Sequence, residues 1–296
     1  MIRLATTLAL LAALTFPLGS PVRAEQPKLV IGIIPELNIF NQMARFKPLA
    51  EYLEKQTGSK VELKLLSRYG NILDNFVSQN IDGAFFGSFT GALAMEKLGV
   101  IPLARPVNLN GESTYRGLIY TRKDSGIKTM ADLKGKKFAF VEKATTAGYL
   151  FPLAHLRQHG ITDLDSFLGE SFFAGSHDAS LDAVLNKKSD AGASKNTVFD
   201  WVRESNPRID QEIVILAESL DVPSNGLCVR PDLDPRLLQK LKDALLTLHQ
   251  SPAGQPILEK FKARKFIETA RADYQPVLDM AKQAGININS YQYRNE

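Results

Sequence analysis

Short apolar strand patterns alternate with helical patterns along most of the chain. The first pair is the apolar run 28–34, closed by Pro35, and a helical spacing over 46–56 that stops at Gly58. Further strand patterns lie at 60–66, 83–86, 101–107 and 115–121, and a second α/β unit follows up to residue 217. A βαβ order places parallel strands in one sheet with helices on both faces. The chain is therefore predicted to be an α/β protein built on mainly parallel sheets.

The length of 296 residues exceeds one average domain. Two extended crossovers, near 115–121 and 223–229, predict a second lobe inserted into the first. We expect the first lobe to comprise 25–118 and 223–296, and the second lobe 119–222. Three helical segments, at 235–249, 253–261 and 274–284, are expected to close the chain, with no further strand. In such a fold a ligand lies in the cleft between the lobes, at the carboxyl ends of the strands.

The N-terminus predicts an exported protein. Arg3 precedes a mostly apolar run, and Ala24 is a small residue at a plausible cleavage site. Residues 1–24 are therefore predicted to be a cleaved signal peptide that directs the protein to the periplasm. The alternative, a membrane anchor, is disfavoured because a span needs roughly 20 apolar residues.

Composition excludes several classes of protein. The net charge is +4, and basic and acidic residues are interspersed, without the basic stripe of a nucleic-acid binder. Cys228 is the only cysteine, so no intrachain disulfide can form. The four histidines are scattered, and neither a metal site nor a cofactor is predicted.

The most informative turn follows the strand pattern at 138–141. A helix is expected to begin near Thr145, and the first N–H groups of a helix, together with its dipole, favour an anion. Thr145 and Thr146 add two hydroxyls, and Gly148 allows close backbone approach. The alternative is an ordinary helix whose N-cap is threonine.

Two other turns could contribute ligands. Ser88 opens a helix after the strand 83–86 and could cap it or donate to a ligand. His177 lies in Gly175-Ser176-His177-Asp178, where it could equally be a capping or loop histidine. Adjacent Ser, His and Asp do not indicate a catalytic triad, whose members are distant in sequence.

The chain resembles the periplasmic phosphate-, phosphite- and phosphonate-binding proteins of ABC transporters, which have a two-lobed type II periplasmic-binding fold. The resemblance runs through most of the chain, at 48–54, 82–87, 115–119, 131–140, 145–152, 175–178 and 190–193. It implies that the phosphonate oxygens are wrapped by Thr145, Thr146 and the backbone N–H of Ala147. It also places Tyr69, Phe86 and His177 in the cleft.

The chain departs from aminophosphonate binders where those proteins surround the ligand's ammonium with carboxylates. These positions fall on Thr197 and Asn225, and Lys195 lies close by in sequence. A buried ammonium without a counter-charge is costly. A 2-aminoethylphosphonate ligand is therefore disfavoured relative to phosphate, phosphite, methylphosphonate or an oxyanion outside the phosphorus series.

The predicted function is capture of a small oxyanion for the membrane subunits of an ABC importer, by a monomer whose lobes close on the ligand. A sensory binding protein that signals to a membrane histidine kinase or cyclase would share the fold and pocket. A hydrolase using His177 with Thr145 or Thr146 is the third alternative. No nucleophile–base pair is visible in the sequence, so catalysis is not predicted.

Overall fold

A computed structural model describes residues 27–66 and 68–294 of the chain. The predicted signal peptide lies outside the described residues. Within the part that is described, no helix has the length and apolar character needed to cross a membrane.

The first sheet has six strands, namely β1 (Lys28–Ile33), β2 (Lys60–Leu65), β3 (Gly83–Phe86), β4 (Ile101–Asn108), β12 (Gly226–Val229) and β13 (Ala263–Glu268). Across the sheet they lie in the order β13-β4-β12-β3-β1-β2. β1 is parallel to β2 and β3, whereas β12 is antiparallel to both β3 and β4. The sheet is thus mixed, not mainly parallel as predicted, because β12 enters from the opposite direction and runs back between two existing strands.

The second sheet has five strands in the order β10-β6-β9-β7-β8. These are β6 (Gly117–Arg122), β7 (Lys137–Phe140), β8 (Glu170–Phe173), β9 (Ala191–Lys195) and β10 (Ile213–Glu218). β7 is parallel to β8 and β9, but β6 is antiparallel to β9 and β10. This sheet is also mixed, and we refer to the two halves of the molecule as the first and second lobes.

The two crossovers between the sheets pair with each other. β5 (Thr114–Tyr115) and β11 (Val222–Pro223) form a two-stranded antiparallel ribbon. This ribbon is the place where the chain passes from one sheet to the other, as the extended crossovers predict.

Eleven α-helices in the described residues flank the sheets. They are α1 (Ile39–Thr57), α2 (Ile72–Ser78), α3 (Ser88–Leu98), α4 (Phe151–Gln158), α5 (Leu164–Phe167), α6 (His177–Leu185), α7 (Asn196–Ser205), α8 (Arg208–Glu212), α9 (Pro235–Thr247), α10 (Gly254–Phe261) and α11 (Gln275–Gln283). α1 begins earlier than predicted, because the Asn38 side chain accepts from the Asn41 N–H and caps it. It ends at Gly58 with a left-handed φ of 74°, as the sequence indicates.

Alternate side chains of β1 pack on opposite faces of the first sheet, and both faces are buried. Leu29, Ile31 and Ile33 belong to one apolar cluster, which includes Phe46 of α1 and Leu241 of α9. Val30 and Ile34 belong to another, with Phe89 of α3. A strand buried on both faces has a continuous apolar sequence, and the apolar run at 28–34 accordingly predicted a strand.

The expectation that no strand follows residue 230 is wrong. β13 lies between α10 and α11 and pairs antiparallel with β4 at the sheet edge. Its sequence, Ala-Arg-Lys-Phe-Ile-Glu, buries Ala263 and Phe266 but exposes Arg264 and Lys265. The two buried residues are three positions apart because the pairing register with β4 shifts between Ala263 and Lys265, so the strand lacks the alternation by which strands are predicted.

A candidate anion site between the lobes

The polar residues that follow several strands converge in one small cavity between the lobes. It is lined by Ile34, Glu36, Tyr69, Gly87, Thr90, Tyr115, Thr145, Thr146, His177, Lys195 and Asn225. The cavity has room for only about one water molecule. The lobes are thus closed closely around this point.

An ion pair crosses this cavity from one lobe to the other. The Lys195 ammonium, at the end of β9, lies 2.8 Å from Glu36 Oε1, just after β1. Its other contacts are Asn225 Oδ1 at 3.1 Å and the Tyr115 ring, whose centroid is 4.2 Å away. The side chains of Lys195 and Glu36 are only 6% and 2% exposed, so both charges depend on each other for solvation.

Glu36 is held ionised by two cations. Its second carboxylate oxygen accepts from Arg45 at 2.8 Å. Burial by itself would raise the pKa of Glu36, but Lys195 and Arg45 outweigh it and hold that pKa at about 2. Burial also lowers the pKa of Lys195, and Glu36 opposes this effect.

His177 is a neutral donor at the start of α6. The Lys195 backbone N–H donates to His177 Nδ1 at 3.2 Å, so the ring proton belongs on Nε2. Burial lowers the pKa of His177 to about 3, with Lys195 adding to the effect and Glu36 opposing it. The imidazole therefore stays uncharged at neutral pH and offers one N–H.

Tyr69 brings a hydroxyl that has no protein partner. The residue is 2% exposed, and its hydroxyl is one of the buried side-chain atoms that lack a hydrogen bond among the described residues. Burial raises the pKa of Tyr69 well above its ordinary value, with Glu36 adding to the effect. A buried hydroxyl left unpaired costs roughly 1–3 kcal/mol, which a ligand oxygen at this position would recover.

The turn at Thr145 has a different geometry from the one predicted. Residues Thr146–Leu150 form a π-helical turn, and α4 continues from it. Thr145 Oγ1 donates to the Glu142 carbonyl at 2.6 Å, and Thr146 Oγ1 accepts from the Phe89 N–H at 2.9 Å. The second of these hydrogen bonds joins the two lobes.

Gly148 is required for packing within the turn, and its predicted role in the close approach of a ligand stays a prediction. A Cβ at this position would lie 2.4 Å from Val141 and 2.9 Å from Thr145 Oγ1. A π-helical turn is a local irregularity that the apolar spacing used to predict helices does not reveal.

Six of the predicted ligand residues line the cavity, namely Tyr69, Thr145, Thr146, His177, Lys195 and Asn225. Four others lie nearby but do not line it: Phe86, Ser88, Ala147 and Thr197. Ser88 donates to the Pro223 carbonyl at 2.6 Å and lies 3.0 Å from the Tyr115 hydroxyl. Phe86 packs against Phe76, with ring centroids 5.7 Å apart. The ligand role of all ten residues stays a prediction.

Sequence reasoning missed Glu36 and Tyr115. Glu36 follows Pro35 directly after a central strand, a position at the carboxyl end of the sheet where ligands bind. That position indicates a binding residue. Lys195, with which Glu36 forms the ion pair across the cavity, lies 159 residues away in the sequence. Tyr115 reaches the site because it lies in β5, which pairs with β11 where the chain passes between the two sheets.

A sequence profile described as "ABC transporter, phosphonate, periplasmic substrate-binding protein" matches residues 31–274. The chain belongs to this family. The resemblance noted in the sequence is thereby confirmed, and the family locates this binding protein in the periplasm.

The alignments with two curated relatives span different shares of this binding protein. It is 34% identical to the phosphate-import protein PhnD of Mycolicibacterium smegmatis over 180 residues, which cover 58% of this chain and only 56% of that relative's length. It is 24% identical over 275 residues to a probable ABC transporter phosphite binding protein, PhnD1, of Prochlorococcus marinus, covering 90% of this chain and 92% of the relative.

Solved structures share the fold of this binding protein. A binding protein component of an ABC phosphonate transporter from Pseudomonas aeruginosa superposes with a TM-score of 0.82 at 21% identity, over 88% of this chain and 87% of that one. PhnD1 of Prochlorococcus marinus in complex with methylphosphonate gives 0.77 at 23% identity, over 87% and 98%. The two-lobed type II periplasmic-binding fold is thus confirmed.

Proposed function

We propose that this protein captures a small oxyanion of the phosphate, phosphite or alkylphosphonate type and delivers it to the membrane subunits of an ABC importer. The observation that carries the proposal is the convergence of neutral donors on one closed cavity between the lobes. Tyr69 supplies an unpartnered hydroxyl and His177 supplies the N–H of Nε2. Neutral donors in a closed, buried cavity stabilise an anion without the desolvation cost of extra charges.

Related proteins support the choice of solute. The names of two relatives refer to phosphate and to phosphite, and one similar structure holds methylphosphonate. The site contains no carboxylate free to pair with a cationic solute, since Glu36 is engaged by Lys195 and Arg45.

The proposed mechanism is closure of the lobes on the ligand. The ligand docks on the second lobe at Thr145, Thr146 and His177, and the first lobe brings Tyr69 over it. Two hydrogen bonds then join the lobes: Gly70 N–H to Glu142 Oε2 and Phe89 N–H to Thr146 Oγ1, each at 2.9 Å. The β5–β11 ribbon is the proposed hinge. The domain boundary predicted at 222/223 lies within β11, whereas the one predicted at 118/119 lies within β6, and both stay predictions.

Export and assembly complete the proposal. Residues 1–24 are proposed to be a signal peptide cleaved on export, and the mature protein is proposed to act as a monomer that neither binds nucleic acid nor catalyses a reaction.

The test is thermal unfolding of the protein from residue 25 onward with phosphate, phosphite, methylphosphonate and sulfate. A ligand at about 100 times its dissociation constant stabilises by about 2.7 kcal/mol. At roughly 2–4 °C per kcal/mol for this size, Tm should rise by about 5–10 °C. Thr145→Val should reduce the shift, while Thr129→Val, an exposed matched control in the second lobe, should not. The absence of a shift with every phosphorus oxyanion would contradict the proposal.

A further inference from the structure

The Lys195 ammonium lies in surroundings that would suit the ammonium group of a ligand. It contacts a carboxylate oxygen of Glu36 at 2.8 Å and an amide oxygen of Asn225 at 3.1 Å. The face of Tyr115 lies below it, with the ring centroid at 4.2 Å. A carboxylate, a carbonyl-type oxygen and an aromatic face are the groups that bind alkylammonium ions in proteins.

We propose that Glu36, Asn225 and Tyr115 form an ammonium subsite of the anion cavity, and that Lys195 is its built-in occupant. By filling the subsite, Lys195 restricts the protein to solutes that carry no cationic group. The solute part of this inference rests on the proposed function, whereas the subsite itself does not.

The subsite is held in place by contacts other than those of Lys195. Glu36 Oε2 is bound by Arg45 at 2.8 Å, and Arg45 Nε donates to the Phe261 carbonyl at 3.1 Å. The Tyr115 hydroxyl lies 3.0 Å from Ser88 Oγ. These anchors belong to the first lobe and the hinge, so truncation of Lys195 on β9 leaves them intact.

Charge balance explains why the occupied subsite rejects cations. Lys195 already neutralises Glu36, and both side chains are almost completely buried. A ligand ammonium would have to share one carboxylate with Lys195 in a closed, buried cavity, where like charges repel and neither is well solvated. Without Lys195 the carboxylate regains a free oxygen, and the space of the four-carbon stem becomes available.

The first experiment follows Tm of Lys195→Ala, Lys195→Met and the unmodified protein against methylammonium chloride, with equal concentrations of sodium chloride as the reference. We expect methylammonium to raise Tm of Lys195→Ala only, because the Met side chain fills the space without supplying a charge. This measurement contains no oxyanion. It therefore reports on the subsite even if the proposed oxyanion function fails.

The second experiment measures by calorimetry the affinity for 2-aminoethylphosphonate relative to methylphosphonate. We expect the unmodified protein to favour methylphosphonate, and Lys195→Ala to shift the ratio toward 2-aminoethylphosphonate by at least about tenfold. Lys195→Met should not show this shift.

Two results would overturn the inference. One is equal stabilisation of Lys195→Ala and Lys195→Met by methylammonium. The other is binding of 2-aminoethylphosphonate by the unmodified protein as tightly as methylphosphonate, which needs no variant and remains decisive if Lys195→Ala does not fold.

Discussion

Individual polar groups determine how this cavity can bind an anion. Tyr69 has a buried hydroxyl with no hydrogen bond among the described residues, and His177 is kept neutral with its free N–H on Nε2. The Lys195 ammonium is engaged by Glu36, which Arg45 also binds. Under the proposed function, the donors of Tyr69 and His177 rather than the Lys195 charge bind the anion.

Tyr69→Phe is expected to weaken oxyanion binding with little loss of stability in the ligand-free protein. A hydrogen bond to a charged group contributes about 1.5–3 kcal/mol, so the dissociation constant should rise about 10- to 150-fold. Calorimetry gives the affinity and urea unfolding gives the stability. Tyr274→Phe is the matched control, because Tyr274 is equally buried but does not line the cavity. Equal losses of affinity in both variants would contradict the assignment.

At the scale of elements, three element ends position the ionisable groups of the cavity: the ends of β1 and β9 and the start of α6. β9 ends with Lys195, whose backbone N–H fixes the His177 ring at the start of α6, while β1 leads into Glu36. The elements bury these groups together, and burial is the main cause of the low pKa of His177.

The buried histidine predicts a loss of stability on mild acidification. The pKa of His177 is about 3 in the folded protein, below its value of about 6.5 in the unfolded chain. The unfolded chain therefore binds the proton first, and stability falls as pH drops from about 6.5 toward 3, by up to about 1.4 kcal/mol per pH unit. Urea unfolding between pH 5 and 7 measures this effect together with a contribution of the same sign from His155, whose pKa burial also lowers.

His177→Gln should flatten this pH dependence, whereas His249→Gln, at an exposed position of the first lobe, should leave it unchanged. An unchanged slope in His177→Gln would show that another group is responsible.

For the whole molecule, the two lobes meet at a second place outside the cavity. Trp201 of α7, the only tryptophan, faces Arg45 of α1, with the guanidinium carbon 4.7 Å from its ring centroid. The same guanidinium lies 4.5 Å from the Phe261 ring centroid. Arg45 also binds Glu36, so the contact with Trp201 is linked to the ion pair in the cavity.

Trp201 should therefore report closure of the lobes. We expect its fluorescence to change on addition of a bound oxyanion and to saturate at the concentration that saturates the rise in Tm, because the stacking on Arg45 requires the lobes to meet. Sodium chloride of equal ionic strength is the control. An unchanged emission spectrum at a ligand concentration that raises Tm would contradict ligand-driven closure.

The sequence by itself determined the elements and their broad arrangement, because these depend on local periodicity and turn residues. The central strand at 28–34, the stop at Gly58 and the crossovers near 115 and 223 are all visible in it. The turn at Thr145 was found for the same reason, since a polar turn after a buried strand is a local signal.

Only the tertiary structure decided the charge balance of the site. Glu36 and Lys195 lie 159 residues apart, and no local pattern joins them. The antiparallel β12, inserted between β3 and β4, and the edge strand β13 likewise depend on distant pairing partners. Long-range contacts of this kind arise when the chain returns through the hinge, so they follow from the folded topology rather than from the spacing of residues.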